Sequence, residues 1–185
     1  MDNGASSYHR FLSGDKNGLE EIIRFYSDSL TLYICTLVGN MDDAREVMTE
    51  TFVELYVKQP KYSGKSTFKT WLYSIARHIA YDFLKHKNKY TALSVDELKD
   101  LPSKSDLEKE LDNKDEKEQL YQAIDKLKPE YRQVIYLIYI EGFSNTETAD
   151  IMKKSKKQTG ELLYRAKKAL KKILEKEDGG YERSL

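Results

Sequence analysis

An all-α fold, two small helical domains joined by a flexible linker, follows from three observations on the 185-residue chain. Apolar residues recur at spacings of three and four through most of the sequence, the period of helices with one buried face. Helix breakers are few, 3 Pro and 9 Gly, and most fall between the periodic stretches. Between about residues 91 and 117 the period dissolves into a polar, acidic run, LSVDELKDLPSKSDLEKELDNKDEKE, almost free of aromatics, which reads as a pliant tether with transient helix. The expected organisation is a first domain over residues 1–90, a flexible acidic linker over 91–117, a helix-turn-helix domain over 118–176 and a disordered tail over 177–185.

The first predicted helix covers 16–38, with Leu19, Ile22, Ile23, Phe25, Tyr26, Leu30, Tyr33, Ile34 and Leu37 on its apolar side, and Gly39 ends it as a left-handed cap. A second is expected from Asp43, where DARE has capping-box spacing. Ala44, Val47, Met48, Thr51, Phe52, Leu55 and Tyr56 form its inner face, and Arg45, Glu46, Thr49, Glu50 and Glu54 its outer one. That outer face is mostly acidic, which suits a basic protein surface better than DNA. Gln59 to Lys65 form an ordered loop in which Tyr62 offers a stacking platform. The chain re-enters a helix at Ser66 or Thr67, whose core face is Phe68, Trp71, Leu72, Ile75, Ala76, Ile79, Ala80 and Phe83. Lys69, Arg77, His78, Asp82, Lys85, His86, Lys87 and Lys89 lie mostly opposite.

Beyond the tether, Leu120, Ala123, Ile124 and Leu127 mark a helix, and Pro129 opens another whose apolar run, 134–140, must be buried and ends at Gly142. Two short signals then delimit a helix, a tight turn and a longer helix. In SNTE, Ser144 and Glu147 have the spacing to cap reciprocally. SKKQ repeats it with Ser155 and Gln158, leaving Lys153 and Lys154 for the corner. Ala149, Ile151 and Met152, then Leu162, Leu163, Ala166, Ala169, Leu170 and Ile173, give these helices a common buried side. The remainder of the second is cationic.

Net charge is zero, yet it is strongly segregated: −6 over residues 1–57, +7 over 58–90, −5 over 91–119 and +8 over 153–176. Two basic islands between acidic blocks predict two polyanion contacts, with acidic surfaces left for protein partners. A basic stripe on a groove-sized helix after a tight turn is the footprint of duplex DNA binding. Cys35 is the only cysteine, and His9, His78 and His86 are scattered, so neither a disulfide framework nor a metal site is expected, and no cofactor. No apolar run approaches the ~20 residues of a membrane span, and MDNGASSYHRF lacks a signal-peptide core. A cytoplasmic protein without membrane insertion is the expectation.

The order of these parts resembles an extracytoplasmic-function (group IV) sigma factor of bacterial RNA polymerase, from about Phe11 to Leu174. DDAREVMTETFVELY is similar to that family's polymerase-binding segment, and GKSTFKTWLYSIARHIAYDFLKHKNK to its promoter-melting helix. LKPEYRQVIYLIYIEGFSNTETADIM and YRAKKAL are similar to its −35-reading domain. The resemblance implies a non-catalytic initiation factor that grips the clamp coiled coil of core polymerase, opens the −10 element and reads the −35 element, with an anti-sigma factor as an expected partner.

Carried over by position, it puts Glu46, Thr49, Glu50 and Glu54 in the clamp contact. The loop Tyr62, Ser63, Gly64 and Lys65 falls where a flipped base is captured, with Arg77, His78, Asp82 and Lys85 along the −10 strand. Ser155, Lys156, Lys157, Gln158, Glu161, Arg165 and Lys168 face the −35 element.

The chain departs from the family at Glu46, Thr49 and His78, and at Lys153, where a turn needing positive φ usually has Gly. It departs again at Thr159, usually apolar, and Gly160 interrupts the recognition helix. The alternatives are a sigma-like mimic that occupies an anti-sigma factor without reading DNA, and a dimeric helix-turn-helix repressor. No nucleophile, base and orienting group form a set that would suggest an enzyme.

Overall fold

The computed structural model describes residues 3–93 and 114–181, and among these it is all-helical. Helices α1 (Asn3–Leu12), α2 (Asn17–Val38), α3 (Met41–Lys58) and α4 (Phe68–Leu93) form the N-terminal bundle. Its core is Tyr8, Phe11, Ile22, Leu30, Tyr33, Ile34, Ala44, Val47, Phe52, Leu55, Phe68, Leu72, Tyr73 and Ala76, all buried. The C-terminal part consists of α5 (Lys114–Asp125), α6 (Pro129–Ile135), a π-helical turn (Tyr136–Ile140), α7 (Asn145–Met152) and α8 (Lys156–Tyr181). Its core gathers Ile124, Leu127, Val134, Leu137, Ile151, Met152, Leu162 and Ala166.

Helix α1 has no counterpart in the sequence reading. Ten residues carry too short a pattern to announce themselves, and the reason for the helix lies in its partners. Gly18 on α2 lets the two backbones touch, since a Cβ there would come within 2.2 Å of the Ser7 carbonyl oxygen. Tyr8 then reaches across to donate to the Pro60 carbonyl at 2.8 Å, and burial pushes its hydroxyl pKa up to about 12.

Helix α2 matches its expected span, closing on Gly39 at φ 90°. Ile23 and Phe25 nevertheless point outward, Phe25 being 71% exposed, so its buried stripe is narrower than the run of apolar residues implies. Helix α3 starts before Asp43, because its cap is Asn40: the Asn40 side chain accepts from the Asp43 amide at 2.9 Å and donates to the Asp43 carboxylate at 2.7 Å. Tyr56, expected inside, is 53% exposed.

Helix α4 runs three residues into the stretch expected as linker, and α5 begins at Lys114, inside its far end; residues 94–113 lie outside the described residues. Helix α8 likewise continues to Tyr181 through residues expected as tail. Two consecutive glycines, Gly179 and Gly180, weaken a helix without forbidding it, and they follow a long helical run in which Gly160 is the only other glycine. Residues 182–185 lie outside the described residues.

The apolar run 134–140 does not continue as one α-helix. At Tyr136 the ladder changes, and the Glu141 amide donates to the Tyr136 carbonyl five residues back at 3.0 Å. One added residue rotates the succeeding side chains by about 100° around the axis. Val134 to Leu137 are buried, whereas Tyr139 and Ile140 are 53% and 41% exposed, and Glu141 is turned toward α4.

The two halves pack directly on each other: α4 lies against α7, and α2 against α6 and the π turn. Tyr33 meets Tyr136 with ring centroids 6.3 Å apart, and Tyr73 meets Phe143 at 5.0 Å.

Candidate nucleic-acid interfaces

The turn between α7 and α8 is built as its residue spacing predicts. Ser144 accepts from the Glu147 amide at 3.2 Å while Glu147 accepts from the Ser144 amide at 3.0 Å. Burial pushes the Glu147 pKa upward, but the bonds from Ser144, Thr70 and Thr67 outweigh it and leave the carboxyl below its ordinary value. At the second cap, Ser155 accepts from the Gln158 amide at 3.1 Å and Gln158 accepts from the Ser155 amide at 2.8 Å.

Lys153 takes the left-handed conformation at φ 52° that the corner demands. For a Lys this costs about 1 kcal/mol, where a Gly would adopt it freely. Thr159 is fully buried, and its hydroxyl donates to the Ser155 carbonyl at 3.1 Å, which is how a polar residue is accommodated on the inner side of the helix.

The rest of the reading end stands in solvent. Ser155, Lys156, Lys157, Gln158, Glu161, Arg165 and Lys168 are all exposed, and Lys156, Lys157, Arg165 and Lys168 have no carboxylate partner among the described residues. Lys154, by contrast, is tied to Glu130 at 3.2 Å, and Lys167 lies over the Tyr139 ring at 5.1 Å. An unpaired cationic stripe beginning at a helix N-terminus is what a groove-reading helix presents to phosphates and base edges.

The second basic surface is less uniform. Ser63, Gly64 and Lys65 are exposed, with Gly64 at φ 71°. Tyr62 is not the free platform expected. Its hydroxyl donates to the Ser66 carbonyl at 2.6 Å, and its ring sits 5.6 Å from Phe68 and 5.3 Å from Trp71. Tyr8 completes this aromatic cluster, 5.2 Å from Trp71. A seven-residue loop running into a Phe and a Trp is signal enough for a packed corner; the polar neighbours of Tyr62 are what make its ring look exposed.

On α4, His78 and Lys85 are exposed and flank Asp82, at 3.4 Å and 3.2 Å. The Lys85 hydrogen bond, helped by the nearby His78, holds the Asp82 carboxyl below its ordinary value. Arg77 is half-buried: it stacks over Tyr81 at 4.5 Å and donates from Nε to Gln133 of α6 at 3.4 Å. Lys87 pairs with Asp43, whose carboxyl is raised by burial but lowered further by Lys87 and Asn40. The Lys89 side chain is outside the described residues.

On α3, Glu46, Thr49 and Glu50 are exposed, while Glu54 is half-buried and paired with Lys58 at 2.7 Å. Phe52 lies inside, 6% exposed. The acidic outer face is therefore one ridge on one helix. Among the described residues no group of His, Cys, Asp and Glu could hold a metal ion, and no helix is long and apolar enough to cross a membrane. Cys35 is a half-buried free thiol whose pKa is raised, chiefly by burial.

Known proteins share this arrangement. Residues 22–90 match the Sigma-70 region 2 family and residues 117–170 the Sigma-70 region 4 family. The chain is 27% identical over 177 residues to the ECF RNA polymerase sigma factor SigW of Bacillus subtilis, spanning 87% of this chain and 91% of that protein. To SigX of the same organism it is 26% identical over 155 residues, 81% of this chain and 80% of that one. Among solved structures, the sigma factor RpoE in complex with the anti-sigma factor NepR from Bartonella quintana superposes with a TM-score of 0.69 at 21% identity, over 84% of this chain and 96% of that one. CnrH, solved in complex with the cytosolic domain of CnrY, gives 0.62 at 18% identity, over 94% and 95%. With both sigma regions matched in order, on two helical units that carry separate basic surfaces, the chain belongs to the extracytoplasmic-function sigma factors, which direct RNA polymerase in initiating transcription.

Proposed function

We propose that the two basic surfaces divide the promoter between them. The N-terminal bundle, residues 1–90, takes the −10 element along α4 and its preceding loop, through Ser63, Gly64, Lys65, His78, Asp82 and Lys85, with Arg77 available once it leaves Gln133. Tyr62 serves as the floor of that loop, since its ring already packs edge-on against Phe68 and tilted against Trp71. The helix-turn-helix, residues 118–176, takes the −35 element with Lys156, Lys157, Gln158 and Glu161 toward base edges and Arg165 and Lys168 toward phosphates. The ridge of Glu46, Thr49, Glu50 and Glu54 docks on the clamp coiled coil of core polymerase. An anti-sigma factor is the further partner, as NepR is for RpoE in the superposable complex. The protein has no catalytic activity of its own and works in the cytoplasm, where polymerase and promoter are.

The observation that carries this reading is the exposed cation stripe at the start of α8, without carboxylate partners among the described residues and directly behind a doubly capped turn. Run-off transcription with core polymerase and genomic promoter fragments tests it: specific transcripts are expected, and their absence with polymerase binding intact would leave a mimic. Lys157→Ala is expected to change the ratio of transcripts from −35 variants, by about five- to a hundred-fold at the base it reads. Unchanged ratios would remove Lys157 from base readout.

A further inference from the structure

Lys157, Gly160, Glu161 and Tyr164 share one face of α8, because residues three and four apart are neighbours on a helix surface, and all four are exposed. Two of them do not belong to a merely solvated cationic face. Tyr164 is 70% exposed and is the only exposed large apolar side chain among the described residues of α8. Among those residues no ring, cation or hydrogen bond holds it. Gly160 stands one turn before it, where a Cβ would meet nothing within 4 Å. The surface between Lys157 and Tyr164 is therefore floored by bare backbone. Glycine weakens a helix interior, and no packing inside the protein asks for it at this position.

The direction of helical side chains joins the two. They lean toward the N-terminus, over the turn that precedes their own Cα, so the Tyr164 ring borders the turn that holds Gly160. Ring and backbone together bound an apolar notch in an otherwise charged surface. Glu161 decides what that surface can meet. It is exposed, and no cation pairs with it among the described residues. Phosphate repels a carboxylate, so a face with one at its centre is aimed at base edges and leaves the backbone to Arg165 and Lys168 beside it. Base edges in the major groove offer hydrogen-bonding groups and a single apolar group, the 5-methyl of thymine. Only the methyl gains by leaving water against an aromatic ring.

We propose that Gly160 and Tyr164 form a methyl-reading notch: the 5-methyl of one thymine in the −35 element packs against the Tyr164 ring, and the missing side chain at Gly160 lets the base edge come close enough to reach it. The notch rests on the placement of α8 in the −35 groove proposed above, and it adds a base identity that lysines alone do not supply. It also gives the glycine a use outside the fold.

The experiment uses the full-length protein with core polymerase, on a promoter fragment that yields a run-off transcript. The fragment is remade with deoxyuridine in place of thymidine at one −35 position at a time, which removes the methyl and keeps the base pair. Thymine and uracil templates compete in one reaction, so the ratio of their transcripts is independent of total activity. For the wild type the ratio is expected to be about three- to five-fold at one position, the value of one buried methyl, and about one elsewhere. Tyr164→Ala and Gly160→Ala should each bring it toward one, the first by removing the ring and the second by filling the notch. Tyr164→Phe should keep it, since the ring and not the hydroxyl meets the methyl. Neither position is part of the core, so misfolding does not stand in for the effect. A wild type indifferent to the methyl at every position, a preference that survives Tyr164→Ala or Gly160→Ala, or one lost in Tyr164→Phe would each overturn the notch. Transcripts that ignore the methyl remove the notch alone, whereas no specific transcript from the wild type removes the division of the promoter and the notch with it.

Discussion

Gly160 sits in the second turn of the recognition helix with nothing within 4 Å of where a Cβ would project. No packing inside the protein requires glycine there, and its backbone entropy costs about 1 kcal/mol relative to Ala. Gly160→Ala is therefore expected to raise the unfolding free energy by about 0.8–1 kcal/mol, read from urea melts of the two proteins; a melt that moved the other way would mean that the open space at Gly160 is used by the fold. The exposed cations of α8 are legible as single residues because position relative to the cap decides their direction. Tyr62 and Tyr56 are not: an aromatic next to polar residues reads as exposed and one on an apolar stripe as buried, and each goes the other way, Tyr62 packing on Phe68 and Trp71 of α4 and Tyr56 being left 53% exposed. Thr159 departs from the apolar residue expected there, yet its hydroxyl finds the Ser155 carbonyl inside its own helix, a local solution that residue type alone does not disclose.

At the scale of elements, caps are the most legible feature and the π turn the least. Four residues suffice to write a capping box, and both boxes of the helix-turn-helix form where SNTE and SKKQ stand. DARE fails as a start because Asn40 lies three residues earlier and satisfies the same amide. The change of ladder at Tyr136 has no such signature, since YLIYI is as apolar in one helix type as in another. The capping box predicts a pH dependence. The Glu147 carboxyl titrates below its unfolded value because the gain from Ser144, Thr70 and Thr67 exceeds the cost of burial. A lowered folded pKa contributes stability that is fully present above the unfolded value, about 4.5, and disappears as pH falls through the folded one. Other carboxyls are lowered too, Glu21 by Arg10 and Asp82 by Lys85, so the informative quantity is a difference. Wild type minus Glu147→Gln, followed by thermal melts from pH 7 down to about 3, is expected to be positive above the ordinary glutamate range, because an ionised carboxylate accepts the same bonds more strongly than an amide oxygen, and to shrink toward zero below it. A difference that grew on acidification would contradict the assignment of those hydrogen bonds to the ionised form.

For the whole molecule, charge is the legible property and the packing of its halves is not. Tyr33 and Tyr136 lie in stretches that read as core of their own domain, Tyr73 and Phe143 lie in no such stretch, and no period says what buries any of the four. Charge needs no such partner: the islands over 58–90 and 153–176 are basic in any arrangement, and their segregation makes a neutral chain behave as two polycations. The consequence is measurable. Affinity for a duplex carrying the −35 element should fall steeply with salt although net charge is zero, because each phosphate neutralised releases counterions. Lys168 is exposed and without a carboxylate partner among the described residues, and the proposed role gives it one phosphate to neutralise and no base edge. Lys168→Ala is expected to reduce the slope of log K against log salt by about 0.9 and to weaken all −35 sequences alike. Lys157→Ala should instead alter their ranking. Fluorescence anisotropy across a salt series on three −35 variants separates the two. If Lys168→Ala reordered the variants and left the slope unchanged, the assignment of the α8 side chains to backbone and base would have to be exchanged, because a contact that carries sequence information cannot also be indifferent to which base it meets.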